Sequence, residues 1–225
     1  MAHRRETIGP ELYICVDDNH TFSADALFLG RFATLQARDI VFDLGSGCGA
    51  VAAALFSRED APARVTAVEI DLGAAELAAL TAQSPAIAGR MAVHCGDLRD
   101  LKDSFARNSA DLVVMNPPFF VAGRGHLPPD PVRRTARSDT ACTLADACRA
   151  AARLLRPGGR LALCQRPEHI LPLCDAMRAA GIEPKRAALV AHNPEKAPFL
   201  LLCEGRKGGK SGLVWEATQI TQTNP

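Results

Sequence analysis

The 225-residue sequence predicts an α/β fold: a doubly wound, seven-stranded, mostly parallel sheet with an antiparallel edge hairpin. Three observations predict it. Short aliphatic runs alternate with Ala/Leu-rich stretches of helical length, the pattern of a parallel sheet covered on both faces. A glycine-dense segment, VFDLGSGCGA (41–50), joins the first aliphatic run to a helix start. The last two runs are joined only by NPEKAP, too short for a parallel crossover, so they must pair antiparallel at one edge.

The elements follow in order. A helix is predicted over 24–37, then strand 39–44 (DIVFDL) with helix 48–58, and strand 64–69 (RVTAVE) with helix 72–84. Strand 91–95 (MAVHC) leads to a short helix near 98–106, and strand 111–116 (DLVVMN) ends in Asn-Pro-Pro. Residues 123–139, GRGHLPPDPVRRTARSD, are too rich in proline and glycine for regular structure and read as a long loop. Helix 143–155, strand 160–166 (RLALCQR), helix 169–180 and strands 187–192 and 198–204 complete the sheet. The basic turn GRKGGKSG precedes a short strand or arm around Val214 and Trp215. We expect one domain over 1–225, with 1–38 as a segment beside the ligand site and 205–225 as a basic arm.

Composition bounds the function. Apolar residues at 48% and charged residues at 23% describe an ordinary soluble domain, and a net charge of +1 means any basic footprint must be local. No apolar run follows Arg4 and Arg5, and none approaches the roughly 20 residues that cross a bilayer, so a cytoplasmic location is expected. The eight cysteines contain no CxxC pair and the six histidines no ligand spacing. Reduced thiols acting as small hydrophobes are therefore expected, and no metal site.

The chemistry is concentrated at the strand ends. Gly45 and Gly47 allow a tight turn and close approach of a ligand to the backbone, with Ser46 between them. Glycines at this spacing serve both NAD and S-adenosylmethionine. Asp43, completing DxGxGxG, favours the sulfonium cofactor, because a carboxylate there can orient its methionine ammonium. Glu69, 24 residues after Gly45, can accept both ribose hydroxyls, while Asp71 suits the N-cap of the next helix. Asp97 either accepts from the adenine amine or caps a helix, with Ile70 and Leu98 on the ring faces. In a doubly wound sheet these ends line one crevice.

Asn116 ends the fourth strand at the same edge. Pro117 holds Asn116 extended and leaves a carbonyl at 116 or 117 without competition. Two rigid acceptors suit an NH2 group on a planar system, and Phe119 offers a face for stacking.

In this order DLGSGCG, AVEID and NPPF resemble the S-adenosylmethionine-dependent amino methyltransferases that act on planar nitrogen, with a Rossmann-like class I fold. HTFSADALFLGRF, TARSD and PEKAPFLLLCEGRKGGKSGL resemble, within them, the bacterial tRNA1(Val) adenine-37 N6-methyltransferase branch. The resemblance covers nearly the whole chain. It implies methyl transfer to adenine N6 in tRNA near the anticodon, with Asn116, Pro117 and Phe119 in the catalytic pocket. It also implies Asp25 near the methionine end of the cofactor, Asp25 being equally readable as a charge at a helix start. Arg124, Arg133, Arg134, Arg137, Lys207 and Lys210 are implied as RNA-phosphate contacts. Phe119 stands where the family often has Tyr, and Asp139 where an acidic residue follows its Arg motif. A protein-glutamine methyltransferase would share the pocket. An NAD oxidoreductase or a non-catalytic binder would leave NPPF unexplained.

Overall fold

From residue 39 onward every predicted strand is a strand, and its apolar residues alternate between two helix-covered faces. The computed structural model describes residues 3–117 and 142–221. Phe119, Arg124, Arg133, Arg134, Arg137 and Asp139, with the 123–139 loop, lie outside them. The chain begins with β1 (Arg4–Gly9), β2 (Leu12–Val16) and α1 (Ala24–Phe32), followed by β3 (Ile40–Leu44) and α2 (Ala50–Phe56). Next come β4 (Arg64–Glu69), α3 (Leu72–Thr81), β5 (Met91–Cys95), a 3-10 turn (Leu98–Asp100) and β6 (Ala110–Met115). The second part holds α4 (Leu144–Leu154), β7 (Leu155–Gln165), a 3-10 turn (Pro167–His169) and α5 (Ile170–Ala179). It ends with β8 (Ile182–Ala191), β9 (Leu200–Lys207), β10 (Val214–Trp215) and β11 (Gln219–Ile220).

The main sheet has the order β10-β8-β9-β7-β6-β3-β4-β5, with β11 also on β8. Strands β3 to β7 run parallel, and β9 is antiparallel to both β7 and β8. The expected terminal hairpin is therefore present, and the predicted arm at Val214 and Trp215 pairs with β8. One face of the sheet (Val41, Val65, Leu112, Val114, Ala162) packs under β2 and α1–α3. The other (Phe42, Val68, Val113, Met115, Leu161, Leu163) packs under α4 and α5. The strand order reverses between β3 and β6, which places the crevice for a ligand at the carboxyl ends of those strands.

Three features differ from expectation. Residues 4–16 form a β-hairpin that the sequence pattern does not reveal. Its inner strand is satisfied by hydroxyls at the end of α3 and just beyond it: Cys15 N–H donates to Thr81 Oγ1 at 2.9 Å and Tyr13 N–H to Ser84 Oγ at 3.1 Å. Helix α1 stops at Phe32 instead of 37, because Glu204 takes the Thr34 N–H at 2.6 Å and its hydroxyl at 2.8 Å. Arg58 Nη1 then satisfies the Gly30 and Ala33 carbonyls at that end, at 2.9 and 2.7 Å. Finally, the short helix near 98–106 is only the one-turn 3-10 segment Leu98–Asp100. The cysteines are free thiols; Cys15, Cys48, Cys148, Cys164 and Cys203 are buried, whereas Cys95 is exposed.

Candidate active site

Strand β3 delivers Asp43 and then the glycine loop. Gly45 and Gly47 have φ of +71° and +53°, a left-handed backbone that a side chain would strain. No atom of the described residues lies within 4 Å of where a Cβ would stand at either position, so the loop is open to a ligand. Gly45 and Ser46 N–H groups both donate to Val68 O, at 2.8 and 3.1 Å, which ties the loop to the end of β4. From β4, Glu69 reaches back: its Oε2 accepts the Gly47 N–H at 2.8 Å, and its Oε1 the Asp71 N–H at 2.9 Å.

Asp43 is fully buried. Its Oδ2 accepts the Ala52 N–H at 3.3 Å, while Oδ1 has no partner among the described residues. Burial pushes its carboxyl up to about 7, against the Ala52 hydrogen bond and with the Glu69 charge adding to the rise. A buried carboxylate with one unused oxygen beside an open glycine loop fits a ligand that brings its own positive charge. The buried Ser46 hydroxyl is likewise without a partner among the described residues. Ile70, next to Glu69, leaves an apolar side chain 62% exposed at the crevice edge, where a planar ring could cover it. A buried carboxylate, an open glycine loop and a second carboxylate with free lone pairs fit S-adenosylmethionine, which carries a positive charge and ribose hydroxyls.

The capping roles foreseen for two acidic residues are realised. Asp71 caps α3 by accepting the Ala74 N–H, which holds its carboxyl below the usual range against partial burial. Asp97 accepts the Arg99 N–H and is paired with its guanidinium, which holds the carboxyl low. Leu98 beside it is half-buried against the α4 side of the core. His20 was not singled out by the sequence. Its ring bridges Asp17 Oδ1 at 3.0 Å and Asp71 Oδ1 at 3.1 Å, fastening the N-terminal segment to the turn after β4.

Across the switch point, β6 ends at Met115 and presents Asn116 and Pro117. Asn116 is half-buried and Pro117 buried. Asn116 Oδ1 accepts a hydrogen bond from the Cys164 thiol at 2.9 Å. Asp25, in the first turn of α1, is half-buried and close enough for its charge to act on that thiol. The structure thus brings Asp25, Asp43, Gly45, Ser46, Gly47, Glu69, Ile70, Asp97, Leu98, Asn116 and Pro117 to one edge of the sheet. In sequence Cys164 is one of eight thiols expected to act as small hydrophobes; its place beside Asn116 follows from the β6–β7 register, which no local signal discloses.

Two predicted RNA contacts are not at this edge. Because β9 runs antiparallel, its final residues lie at the opposite end: Arg206 pairs with Arg160, while Leu201 pairs with Gln165. Five residues of strand separate those levels, about 17 Å. Lys207 is moreover engaged within the fold, donating to Asn108 Oδ1 at 2.9 Å and to the Ala152 and Leu155 carbonyls at 2.7 Å. Lys210 is exposed, at the same far end.

The family model described as methyltransferase small domain matches residues 20–179. A tRNA1(Val) (adenine(37)-N6)-methyltransferase of Porphyromonas gingivalis W83 is 33% identical over 188 residues, covering 81% of this chain and 72% of that one. One of the same name from Aeromonas hydrophila is 35% identical over 139 residues, and one from Pectobacterium carotovorum 34% over 154. The alignments span only 56% and 60% of those two relatives. Among solved structures, a predicted O-methyltransferase of Agrobacterium tumefaciens superposes with a TM-score of 0.69 at 23% identity, covering 88% of each chain. TYW2 of P. horikoshii in complex with MeSAdo gives 0.63 at 13% identity, covering 92% of this chain and 72% of that one. These two likenesses show the fold.

Proposed function

Since the chain belongs to the methyltransferase small domain family, we propose that it methylates the exocyclic N6 amine of adenine in tRNA, near the anticodon, using S-adenosylmethionine. The observation that carries this reading is the position of Asn116 and Pro117 directly across the switch point from the Asp43–Gly47 loop. The relatives named for adenine-37 of tRNA1(Val) support the choice of target. Family membership removes the NAD-oxidoreductase reading.

When bound, S-adenosylmethionine supplies an electrophilic methyl group on a sulfonium. Asp43 would take the ligand ammonium, Gly45, Ser46 and Gly47 would let the ligand approach the protein backbone, and Glu69 would accept from the ribose hydroxyls. Ile70 and Leu98 would line the adenine faces, with Asp97 available to the ring edge and Asp25 to the methionine end. On the substrate side, Asn116 Oδ1 and the adjacent backbone carbonyl accept the two N–H bonds of the target amine. That grip turns the nitrogen lone pair out of the ring plane and along the line of displacement. Catalysis is then mainly positioning of reacting atoms about 3–3.5 Å apart. The alkylated nitrogen is acidic and loses its proton to water, so no strong base is required. The stacking role expected of Phe119 falls outside the described residues. This substrate also places the enzyme in the cytoplasm.

Labelled S-adenosylmethionine and total tRNA from a strain lacking the protein, followed by nucleoside mass spectrometry, test the reading. New N6-methyladenosine is expected. Unlabelled RNA with cofactor binding intact would move the assignment to protein glutamine, whose planar amide the same two acceptors fit.

A further inference from the structure

We infer that Cys164 is a positioning residue of the methyl-transfer site: its thiol proton fixes the Asn116 amide with oxygen, not nitrogen, toward the target amine. The inference rests on the amino-methyltransferase reading above and extends it to a residue outside the glycine and NPP segments.

The two ends of an asparagine amide are nearly equal in size and opposite in chemistry. A half-turn about Cβ–Cγ would offer the target amine an NH2 group, donor against donor, and the grip on its N–H bonds would fail. Something must therefore choose the rotamer before substrate arrives. Met115 pairs with Leu163 in the parallel β6–β7 ladder, so the next residues along, Asn116 and Cys164, stand opposite each other. Alternation puts Cys164 on the face of Ala162 and Val114, beneath α1 and α2. From there its thiol donates to Asn116 Oδ1 at 2.9 Å.

The thiol suits this task because it remains a donor. Cys164 is fully buried, and burial, then the Asp25 charge, push its pKa above the ordinary thiol value, so it keeps its proton at neutral pH. An amide oxygen has two lone pairs, so the one left by the thiol remains for the substrate. If the amide flipped, the sulfur would have to accept from the N–H, and sulfur is a weak acceptor, so the orientation with the S–H on the amide oxygen is the favoured one.

The test compares Cys164→Ser, which keeps a donor, with Cys164→Ala and Cys164→Val, which do not. Cys203→Ala, a buried thiol on the opposite face of the sheet, controls for loss of packing. Each is assayed with S-adenosylmethionine and total tRNA for kcat and KM, and with S-adenosylhomocysteine by calorimetry. Loss of one hydrogen bond at the grip should lower kcat about tenfold in the Ala and Val variants. KM and cofactor affinity should stay within about twofold, Ser should recover kcat to within about threefold, and Cys203→Ala should lower Tm but not kcat. Wild-type kcat in Cys164→Ala, or equal loss in Ala and Ser, overturns the inference.

A second arm needs no substrate. The chain has five asparagines, so 15N-asparagine labelling gives five side-chain amide signals, with Asn116 identified by its loss in Asn116→Ala. Its two protons should be sharp and slow to exchange in wild type and Ser, and broadened or fast-exchanging in Ala and Val. An identical Asn116 signal in all four proteins overturns the proposal. If wild type labels no RNA while this signal behaves as expected, the adenine assignment fails and the positioning role stands.

Discussion

Glu69 bonds the N–H of Gly47 through one carboxylate oxygen, at 2.8 Å, and that of Asp71 through the other, at 2.9 Å. One side chain therefore holds the glycine loop and the turn after β4 in register while keeping a lone pair on each oxygen for a ligand. Glu69→Gln would set an NH2 group against one of those two N–H donors, leaving it unpaired at a cost of about 1–3 kcal/mol. We expect a lower Tm and a roughly 10–100-fold weaker affinity for S-adenosylhomocysteine, read by thermal melts and calorimetry. A lower Tm with full affinity would limit Glu69 to holding the loop.

Asp43 should make the unliganded protein pH-sensitive. Its carboxyl is raised from 3.8 to about 7 in the fold, so the folded state keeps a proton that the unfolded chain has lost. This contribution is fully present below pH 4 and is lost as pH rises through about 7, a penalty on the order of 4 kcal/mol. Other carboxylates, such as Asp97, are shifted downward and act in the opposite sense. The informative quantity is thus the difference between wild type and Asp43→Asn. The variant should gain Tm relative to wild type between pH 5 and 8, by denaturation at each pH. Cofactor affinity in wild type should tighten over the same window as Asp43 ionises, and in Asp43→Asn it should be weaker and flat.

Asn116→Ala should separate binding from chemistry. Asn116 lies across the switch point from the cofactor loop, and among the described residues its side chain bonds Cys164, not the glycine segment. Removing the oxygen that grips the target amine should lower kcat about a hundredfold or more, with cofactor affinity within about threefold. Equal loss of both, measured by single-turnover labelling and calorimetry, would make Asn116 a structural strand end.

The parallel strands and the glycine loop were legible because each is written locally: an apolar run, then a turn that only certain residues can make. What was not legible depends on partners distant in sequence. β1, RRETIG, carries almost no apolar signal, and β2 is completed by hydroxyls of Thr81 and Ser84, 66 and 71 residues away from the strand residues they bond. The end of α1 is set by Glu204, 170 residues distant. Cys164 reads as a core residue until the β6–β7 register sets it opposite Asn116. The basic turn after β9 is a different case. The predicted antiparallel direction of that strand already puts its end at the far edge from NPP, and only the resemblance suggested otherwise.

That placement yields a last prediction, on where RNA does not bind. Lys207 donates to the Ala152 and Leu155 carbonyls at the end of α4 and to Asn108, so it serves as a charged cap. Lys207→Glu should destabilise the fold by at least about 2 kcal/mol, lowering Tm by several degrees. Lys210, exposed at the same far end, should tolerate Glu within about 0.5 kcal/mol and leave tRNA affinity unchanged. Lys196 offers the contrast: it is exposed in the β8–β9 loop, which lies at the same edge as Asn116 because β8 ends there. Lys196→Glu should weaken tRNA binding and flatten its salt dependence by about one phosphate contact, measured by filter binding across a salt series. A larger loss from Lys210→Glu than from Lys196→Glu would mean that the RNA wraps to the far end of the sheet.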